Sequence, residues 1–427
     1  MFTLLLGTAL LPWARGGSWA PSWYGIGVLA LLSVKLLASA AHRPVAVSVE
    51  DRDALATTLH SVLVIPFYNE DPAMLGRCLR SLSEQTWKPT AVVVVDDGST
   101  SLDGITEARR WQQVMAVLGI DYHVHRFERN RGKREALAYG FTRHPDASHY
   151  VCVDSDTLLA PDALEEAHLP FVDPQVTGVT GLVLASNRRR NLLTALIDIR
   201  YASAFLAERA AYSKVGSVLC CCGSLSVYRG WVVRKYLDDF LGQTFLGRPA
   251  VFGDDRRLTN YALQEGRVTL QESAVAWTAV PERMGHYLRQ QVRWNKSFWR
   301  ESLWAIQNLP RSRPGMWLSL LELTSWIVFT VMLLTALVVE PVRTGEAIIW
   351  VYAVYVAVLA YARSVRYLQT PPMPGDRYRL HERAATFLIA PIYGVLHLVL
   401  LLPLRIWALC TLTRGSWGTR QRVEVAL

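Results

Sequence analysis

The stretch AVVVVDDGS occupies residues 91–99 and joins a run of β-branched residues to two aspartates. A short apolar run of this kind, bounded by turn-forming residues, predicts a strand buried in a sheet. A similar run lies at residues 61–65. Between the two runs, Asp71 and Pro72 form an N-cap and first-turn pair ahead of apolar residues at helical spacing. The sequence therefore predicts a β–α–β unit here.

Around this unit, short β-branched runs continue to alternate with helical periodicity, and residues 150–153 form the next clear strand. This alternation predicts an α/β domain in which a mostly parallel sheet is flanked by helices. The chain has 427 residues, of which 51% are hydrophobic, and these concentrate at both ends, outside this domain. The ends are therefore expected to enter a membrane.

The apolar ends divide into stretches of different length. Residues 23–41 are long enough for one membrane span, whereas residues 2–13 have about half the required length. One N-terminal span is therefore predicted, and a second is left open. Residues 317–339 and 347–362 predict a transmembrane hairpin. Arginines flank it on both sides, so by the positive-inside rule both flanks, and with them the α/β domain, are expected in the cytosol.

The last apolar stretch, residues 385–412, is interrupted by Pro391 and Pro403. A simple crossing would carry the arginines that follow it to the outside, against the positive-inside rule. The pattern therefore predicts a broken, re-entrant or interfacial element that packs on protein or lines a cavity.

The formal net charge is +9, from 45 basic and 36 acidic residues. This excess suits anionic lipid headgroups, phosphorylated substrates or a polyanionic product. Nucleic acid is not expected as a partner, because the sequence contains neither a zinc-finger nor a helix-turn-helix pattern. The six cysteines lack the paired CxxC spacing of a zinc site, and in a reducing cytosol free thiols are expected rather than disulfides.

Acidic residues follow two of the predicted strands. Asp96 and Asp97 end the first, and Asp154 and Asp156 follow the second with the spacing that aims both carboxylates to the same side. Ligands of open α/β sheets bind at this carboxyl edge. Two hard oxygen ligands facing one point predict a Mg²⁺ or Mn²⁺ site for a nucleotide diphosphate. The alternative for Asp97-Gly98 is an ordinary turn.

Two further motifs lie downstream. Asp254 and Asp255 begin a predicted helix, where one carboxylate is a candidate general base that removes a proton from an acceptor hydroxyl. The alternative is that these acids only cap the helix. Gln290, Arg293 and Trp294 share one face of a predicted amphipathic helix by their i, i+3 and i+4 spacing. A cation and an indole on that face suit a diphosphate and a sugar acceptor.

The order of these four elements resembles the processive family of inverting glycosyltransferases with a GT-A fold, which includes cellulose, chitin and hyaluronan synthases. The resemblance covers nearly the whole chain. The segments most similar to bacterial hyaluronan synthases are IPFYNEDP (65–72), QTFLGR (243–248), GDDRRLTNY (253–261), QQVRWNKSFWRESL (290–303) and WGTR (417–420). CCCG (220–223) and ALCTL (408–412) also resemble rhizobial chitin-oligosaccharide synthases.

The resemblance implies roles residue by residue. It places Tyr68 and Asp96 at the uracil, Lys133 at the nucleotide, and Trp417 on a gating loop. The full nucleotide-binding set expected is Tyr68, Glu70, Asp96, Asp97, Lys133, Arg134, Asp154 and Trp417. Asp156 with Asp154 is expected to hold Mg²⁺ or Mn²⁺. Asp255 is expected to be the base, and the remaining catalytic residues expected are Asp254, Gln290, Arg293 and Trp294. Cys222, Gly223 and Trp294 are expected to contact the acceptor, with plain packing as the alternative for the cysteine.

The function implied is synthesis of hyaluronan from UDP-N-acetylglucosamine and UDP-glucuronic acid, with inversion at the anomeric carbon and export of the growing polysaccharide through the membrane segments. One alternative is a chitin-oligosaccharide synthase that uses UDP-N-acetylglucosamine alone. Another is a non-catalytic membrane transporter or receptor for nucleotide sugars. The expected location is the plasma membrane, crossed several times in contact with lipids, with the catalytic domain in the cytosol.

Six segments follow from this interpretation. They are an N-terminal membrane segment of one or two helices (1–44), a cytosolic GT-A catalytic domain (45–284), an amphipathic interface helix (285–314), a transmembrane hairpin (315–365), an interfacial or re-entrant segment (366–412), and a cytosolic gating loop with the C-terminus (413–427).

Overall fold

The computed structural model describes residues 19–339, 341–342 and 349–413. The centre of the molecule is an eight-stranded sheet, and a two-stranded hairpin stands beside it. The strands are β1 (Ser61–Phe67), β2 (Ala91–Asp96), β3 (Asp121–Arg126), β4 (His149–Cys152), β5 (Thr157–Leu159), β6 (Val176–Ala185), β7 (Ser226–Arg229), β8 (Thr244–Phe245), β9 (Arg248–Pro249) and β10 (Arg267–Thr278).

The sheet order is β3-β2-β1-β4-β7-β6-β10-β5. β3, β2, β1 and β4 are mutually parallel, and β6 is parallel to β10. β7 is antiparallel to both of its neighbours, and β5 is antiparallel to β10. The predicted α/β class with a mostly parallel sheet is confirmed, and the antiparallel strands make the sheet mixed.

The α-helices surround this sheet and extend beyond it. They are α1 (Trp19–Ala40), α2 (Val49–Thr58), α3 (Pro72–Ser83), α4 (Asp103–Arg110), α5 (Gln112–Val117), α6 (Lys133–Arg143), α7 (Ala163–His168), α8 (Leu192–Ser203), α9 (Ala210–Ser213), α10 (Gly230–Lys235), α11 (Leu237–Leu241), α12 (Asp254–Glu265), α13 (Met284–Asn308), α14 (Pro314–Leu334), α15 (Ile349–Ser364), α16 (Leu380–Leu388), α17 (Ala390–Leu396) and α18 (Leu402–Cys410).

The predicted β–α–β unit is β1, α3 and β2. Every residue of β1 and β2 is buried, which explains their continuous β-branched sequences, because a strand covered on both faces does not alternate with polar residues. Asp71 caps α3 as predicted, since its side chain accepts hydrogen bonds from the backbone N–H groups of Ala73 and Met74 at 2.8 and 3.1 Å.

Two stretches of helix in the described chain are long and apolar enough to cross a membrane, namely Pro314–Met332 and Leu380–Cys410. The first overlaps the first arm of the predicted hairpin, residues 317–339. The second is built from α16, α17, a π-helical turn and α18, and its regular helix is interrupted at Ile389. Pro391 and Pro403 lie in the first turns of α17 and α18, where a residue without a backbone N–H is tolerated. Whether this stretch spans or re-enters the membrane stays a prediction.

Polar contacts attach the apolar helices to the sheet and to one another. The carboxylate of Glu272 on β10 accepts hydrogen bonds from His42, just after α1, at 2.5 Å, and from Arg366, just after α15, at 2.6 Å. Lys35 on α1 pairs with Glu322 on α14 at 2.5 Å. Glu272 therefore links the ends of α1 and α15 to the sheet, and the Lys35–Glu322 pair links α14 to α1.

Candidate active site

A cavity of about 490 Å³ opens at the carboxyl edge of β1, β2 and β4. This volume lies in the range of small-molecule sites. Twelve of the residues predicted from the sequence line it: Tyr68, Glu70, Asp97, Lys133, Asp154, Asp156, Cys222, Asp254, Asp255, Gln290, Arg293 and Trp294. Asp96, Arg134 and Gly223 are not part of its lining, and Trp417 lies outside the described residues.

The two aspartates that end β2 have different environments. Asp96 is fully buried, and its carboxylate accepts hydrogen bonds from Arg126 at 3.0 Å and from the backbone N–H of Ser99 at 2.9 Å. Asp97 lines the cavity and accepts hydrogen bonds from the backbone N–H groups of Arg131 and Gly132 at 2.7 and 2.9 Å. Burial raises the pKa of Asp97 to about 6. Asp97 therefore shapes the loop that leads into Lys133, whereas Asp96 is engaged inside the protein.

The aspartates after β4 are both held by neighbours. Asp154 accepts a hydrogen bond from Lys133 at 2.6 Å and another from the hydroxyl of Ser224 at 3.1 Å. Asp156 accepts one from the hydroxyl of Thr278, at the end of β10, at 2.9 Å. These contacts fix two carboxylates of the predicted Asp-x-Asp motif at the cavity.

Asp254 and Asp255 start α12 but make different contacts. The carboxylate of Asp254 accepts a hydrogen bond from Nε of Arg134 at 2.8 Å, and Arg134 also donates to the backbone carbonyl of Ala250 at 2.6 Å. Arg134 is buried in this ion pair, so its guanidinium does not reach the cavity as the nucleotide-binding prediction required. The pair instead fixes the start of α12, which places Asp255 at the cavity wall.

The carboxylate of Asp255 lies 3.9 Å from the ammonium of Lys133, and its side chain is 37% exposed. Burial in the cleft raises the pKa of Asp255 above the ordinary aspartate value; Lys133 opposes this change, and Asp154 and Asp254 reinforce it. A raised pKa makes the ionised carboxylate a stronger base. The surroundings of Asp255 therefore suit the predicted role as general base.

Gly223 stands directly behind these charged groups. A Cβ atom built on it would lie 2.8 Å from Nζ of Lys133 and 2.9 Å from Oδ1 of Asp255. Both distances are shorter than ordinary van der Waals contacts, so a larger residue fits only if the ends of both side chains move. This closeness explains why a glycine stands beside the candidate base.

We expect Gly223→Ala to lower transferase activity at least tenfold while leaving the melting temperature nearly unchanged. The new methyl group pushes on two side-chain ends that line the cavity, and a misplaced reacting group costs far more rate than stability. The comparison is kcat and melting temperature against Gly27→Ala, whose Cβ meets nothing within 4 Å. Equal activity of both variants would contradict the assigned position of Asp255.

The predicted amphipathic helix is α13, and its residues Gln290, Arg293 and Trp294 all line the cavity. Trp294 is 45% exposed, and its ring centroid lies 6.2 Å from that of Tyr201. Two aromatic rings near the charged groups form a surface on which a sugar ring can rest. The shared face predicted from the spacing is confirmed for these three side chains.

Sequence reasoning missed one wall of the cavity. Arg200 and Tyr201 of α8, with Glu208 and Arg209 of the π-helical segment Ala204–Arg209, line it. Arg200 and Glu208 are charged and eight positions apart in an otherwise apolar stretch, a spacing that indicates a common polar face of one helix. The π-helical turn was not detectable, although such turns often occur at functional sites.

The donor set fits a divalent cation. Asp154 and Asp156 offer hard carboxylate oxygens, the ligand type that Mg²⁺ and Mn²⁺ prefer. The remaining parts are Asp255 as the candidate base, two cations that suit phosphate oxygens, Lys133 and Arg293, and an aromatic surface. Together they can bind a nucleoside diphosphate sugar and transfer the sugar to a hydroxyl group.

Comparison with known proteins supports this chemistry. The model of "Glycosyltransferase like family 2" matches residues 61–297. A hyaluronan synthase of Streptococcus pyogenes serotype M3 is 37% identical over 404 residues, which cover 94% of this chain and 91% of the relative. An N-acetylglucosaminyltransferase of Rhizobium leguminosarum bv. viciae is 33% identical over 368 residues, covering 85% and 82%.

Among solved structures, the chain is similar to a mannosyltransferase of Pyrobaculum calidifontis determined in complex with GDP-Man and Mn²⁺. The TM-score is 0.51 at 20% sequence identity, and the match covers 86% of this chain and 98% of the mannosyltransferase. At this identity the likeness concerns the fold, and it confirms the GT-A class expected from the motifs.

Proposed function

The chain belongs to the hyaluronan synthase family within the family 2 glycosyltransferases, and we propose that it polymerises N-acetylglucosamine and glucuronic acid from their UDP donors. It is a UDP-sugar glycosyltransferase, which excludes the alternative of a non-catalytic binding protein. The observation that carries the proposal is the shared lining of one cavity by Asp154, Asp255 and Glu322 of the apolar helix α14. A growing polysaccharide at the base is therefore adjacent to the helices expected to carry it outward.

The proposed transfer has a balanced sequence of steps. The acceptor hydroxyl attacks the anomeric carbon of the donor sugar from the face opposite the diphosphate, while Asp255 takes the hydroxyl proton. The bond between the anomeric carbon and the diphosphate oxygen breaks, and UDP leaves with the electron pair. The anomeric centre is inverted, which converts an α-linked donor to a β-linked product.

The other cavity residues bind and orient. Arg293 and Lys133 attract the diphosphate oxygens, and Trp294 covers the acceptor sugar. Asp154 and Asp156 would hold the cation. When bound there, Mg²⁺ or Mn²⁺ would neutralise the charge that grows on the leaving diphosphate. Asp97 orients the loop before Lys133 through its backbone hydrogen bonds.

The proposed location is the plasma membrane, with the catalytic domain on the cytosolic side where UDP-sugars are made. The basic residues on both flanks of the predicted hairpin support this orientation. The polymer would leave through the apolar helices, in contact with membrane lipids. Glucuronic acid makes such a polymer anionic, which agrees with the net charge of +9 on the chain.

The test is a donor-omission assay with purified protein. We expect long polymer, degraded completely by a hyaluronan-specific hyaluronidase, only when UDP-N-acetylglucosamine and UDP-glucuronic acid are both present. UDP release with each donor alone serves as the control for single transfers. A chitinase-sensitive product from UDP-N-acetylglucosamine alone would overturn the proposal in favour of the chitin-oligosaccharide alternative.

A further inference from the structure

Three potential metal ligands meet at the edge of the sheet opposite the cavity. His60 directly precedes β1, and His144 and Asp146 lie between α6 and β4. The cavity residues follow the carboxyl ends of the same strands. β1 alone has seven residues, so the two edges are roughly 20 Å apart at about 3.3 Å per residue. This group is therefore separate from the catalytic cation site.

The distances between the three side chains suit a metal ion with tetrahedral coordination. Their ligand atoms all lie within 4.8 Å of one another, and Nδ1 of His60 lies 3.4 Å from Oδ2 of Asp146. Bonds of about 2.0–2.2 Å in a tetrahedral zinc site place neighbouring ligand atoms about 3.4 Å apart. The His60–Asp146 distance already has this value. Asp146 is 73% exposed, so its side chain is free to rotate toward His144.

The imidazole of His144 has one nitrogen without a hydrogen-bond partner. Its Nε2 is buried without a hydrogen-bond partner, and the nearest carboxylate, Oδ2 of Asp121, is 3.9 Å away. Buried polar atoms are normally paired, so this nitrogen needs an explanation. An imidazole nitrogen is a common metal ligand.

The backbone that carries these ligands is held in place. The N–H of His60 donates to the hydroxyl of Ser148 at 2.9 Å, and the N–H of Ser148 donates to the carbonyl of His60 at 2.9 Å. The hydroxyl of Tyr150 donates to the carbonyl of His144 at 2.7 Å. A prearranged backbone leaves only side-chain rotations to complete a site.

We propose that His60, His144 and Asp146 bind one Zn²⁺ ion, with Asp121 or water as the fourth ligand. Two imidazoles and a carboxylate favour Zn²⁺ over Mg²⁺, which prefers oxygen ligands alone. The ion joins the start of β1 to the loop between α6 and β4. Since Lys133 stands at the beginning of α6, the same ion steadies the helix that carries a cavity residue.

The experiment uses the full chain in detergent with excess Mg²⁺, which competes with Zn²⁺ for the catalytic cation site. Zn²⁺ binding is measured by calorimetry and its effect on the melting temperature by thermal unfolding. We expect saturable binding of one Zn²⁺ and a rise in melting temperature, because a ligand that binds only the folded state stabilises it. Asp146→Asn and His144→Gln should each weaken Zn²⁺ binding at least tenfold.

The matched control is His381→Gln, which removes an exposed histidine outside the group and should leave Zn²⁺ binding unchanged. If His144→Gln does not fold, Asp146→Asn decides, since its side chain is mostly exposed. Wild-type protein without saturable Zn²⁺ binding, or equal affinity in wild type and Asp146→Asn, would overturn the proposal. These readouts involve no sugar product, so they stand apart from any failure of the proposed hyaluronan synthesis.

Discussion

Asp156→Ala is expected to lower polymer synthesis by about 10³-fold and to abolish the effect of Mg²⁺ or Mn²⁺ on UDP binding. The carboxylate of Asp156 is held at the cavity by Thr278 and is the proposed ligand that fixes the cation. Loss of several kcal/mol of charge stabilisation corresponds to a factor of this size, since each 1.4 kcal/mol is tenfold in rate. UDP affinity measured with and without cation, alongside polymer yield, checks both parts.

The matched control is Asp53→Ala, which removes an exposed aspartate on α2 that is not part of the cavity lining. Treatment of the wild-type protein with a chelator should reproduce the loss, and added Mg²⁺ or Mn²⁺ should restore activity. Cation-dependent UDP affinity that is unchanged in Asp156→Ala would remove this residue from the cation site.

Asp255→Asn is expected to lower transfer by about 10²–10⁴-fold and to leave UDP binding nearly intact. The amide cannot accept the hydroxyl proton, and a positioned base contributes a factor of this order. The substitution keeps the shape of the side chain, so the start of α12 is preserved. UDP affinity and the initial rate of sugar transfer separate binding from chemistry.

The pH dependence gives an independent check of the same residue. The base acts only when ionised, so the wild-type rate should fall as the pH decreases through the pKa of Asp255. Because burial raises that pKa, the fall should begin at a higher pH than an ordinary aspartate would give. A flat acidic limb down to pH 4, or near-wild-type turnover of Asp255→Asn, would exclude Asp255 as the base.

Much of the fold was predictable because the necessary signals are local. The β-branched runs of β1, β2 and β4 are visible in sequence, since parallel strands covered on both faces carry no alternation. The acids at Asp97 and Asp154 follow from strand ends, and the face of α13 follows from helical spacing. Each of these features depends on neighbours within a few positions along the chain.

The missed features depend on distant partners. Adjacent residues Lys133 and Arg134 were both expected at the nucleotide, yet Arg134 turns to Asp254, which lies 120 positions away. Asp96 similarly pairs with Arg126 on the neighbouring strand. No local pattern distinguishes a charged side chain that enters the cavity from one that is paired inside the protein. That distinction requires the tertiary structure.

Among the residues that the structure describes, one Asp-x-Asp motif, Asp154 and Asp156, lines the cavity. We therefore expect both sugars to be transferred at this one site, with Asp255 as the base in both transfers. Single-transfer assays test this most directly. In the first assay, an oligosaccharide that ends in glucuronic acid receives N-acetylglucosamine from its UDP donor. In the second assay, an oligosaccharide that ends in N-acetylglucosamine receives glucuronic acid from its UDP donor. The rates of the wild-type protein and of Asp255→Asn are compared in both. We predict that the substitution reduces both transfers by similar factors of at least about 10². Survival of either transfer at the wild-type rate would contradict a single shared active site.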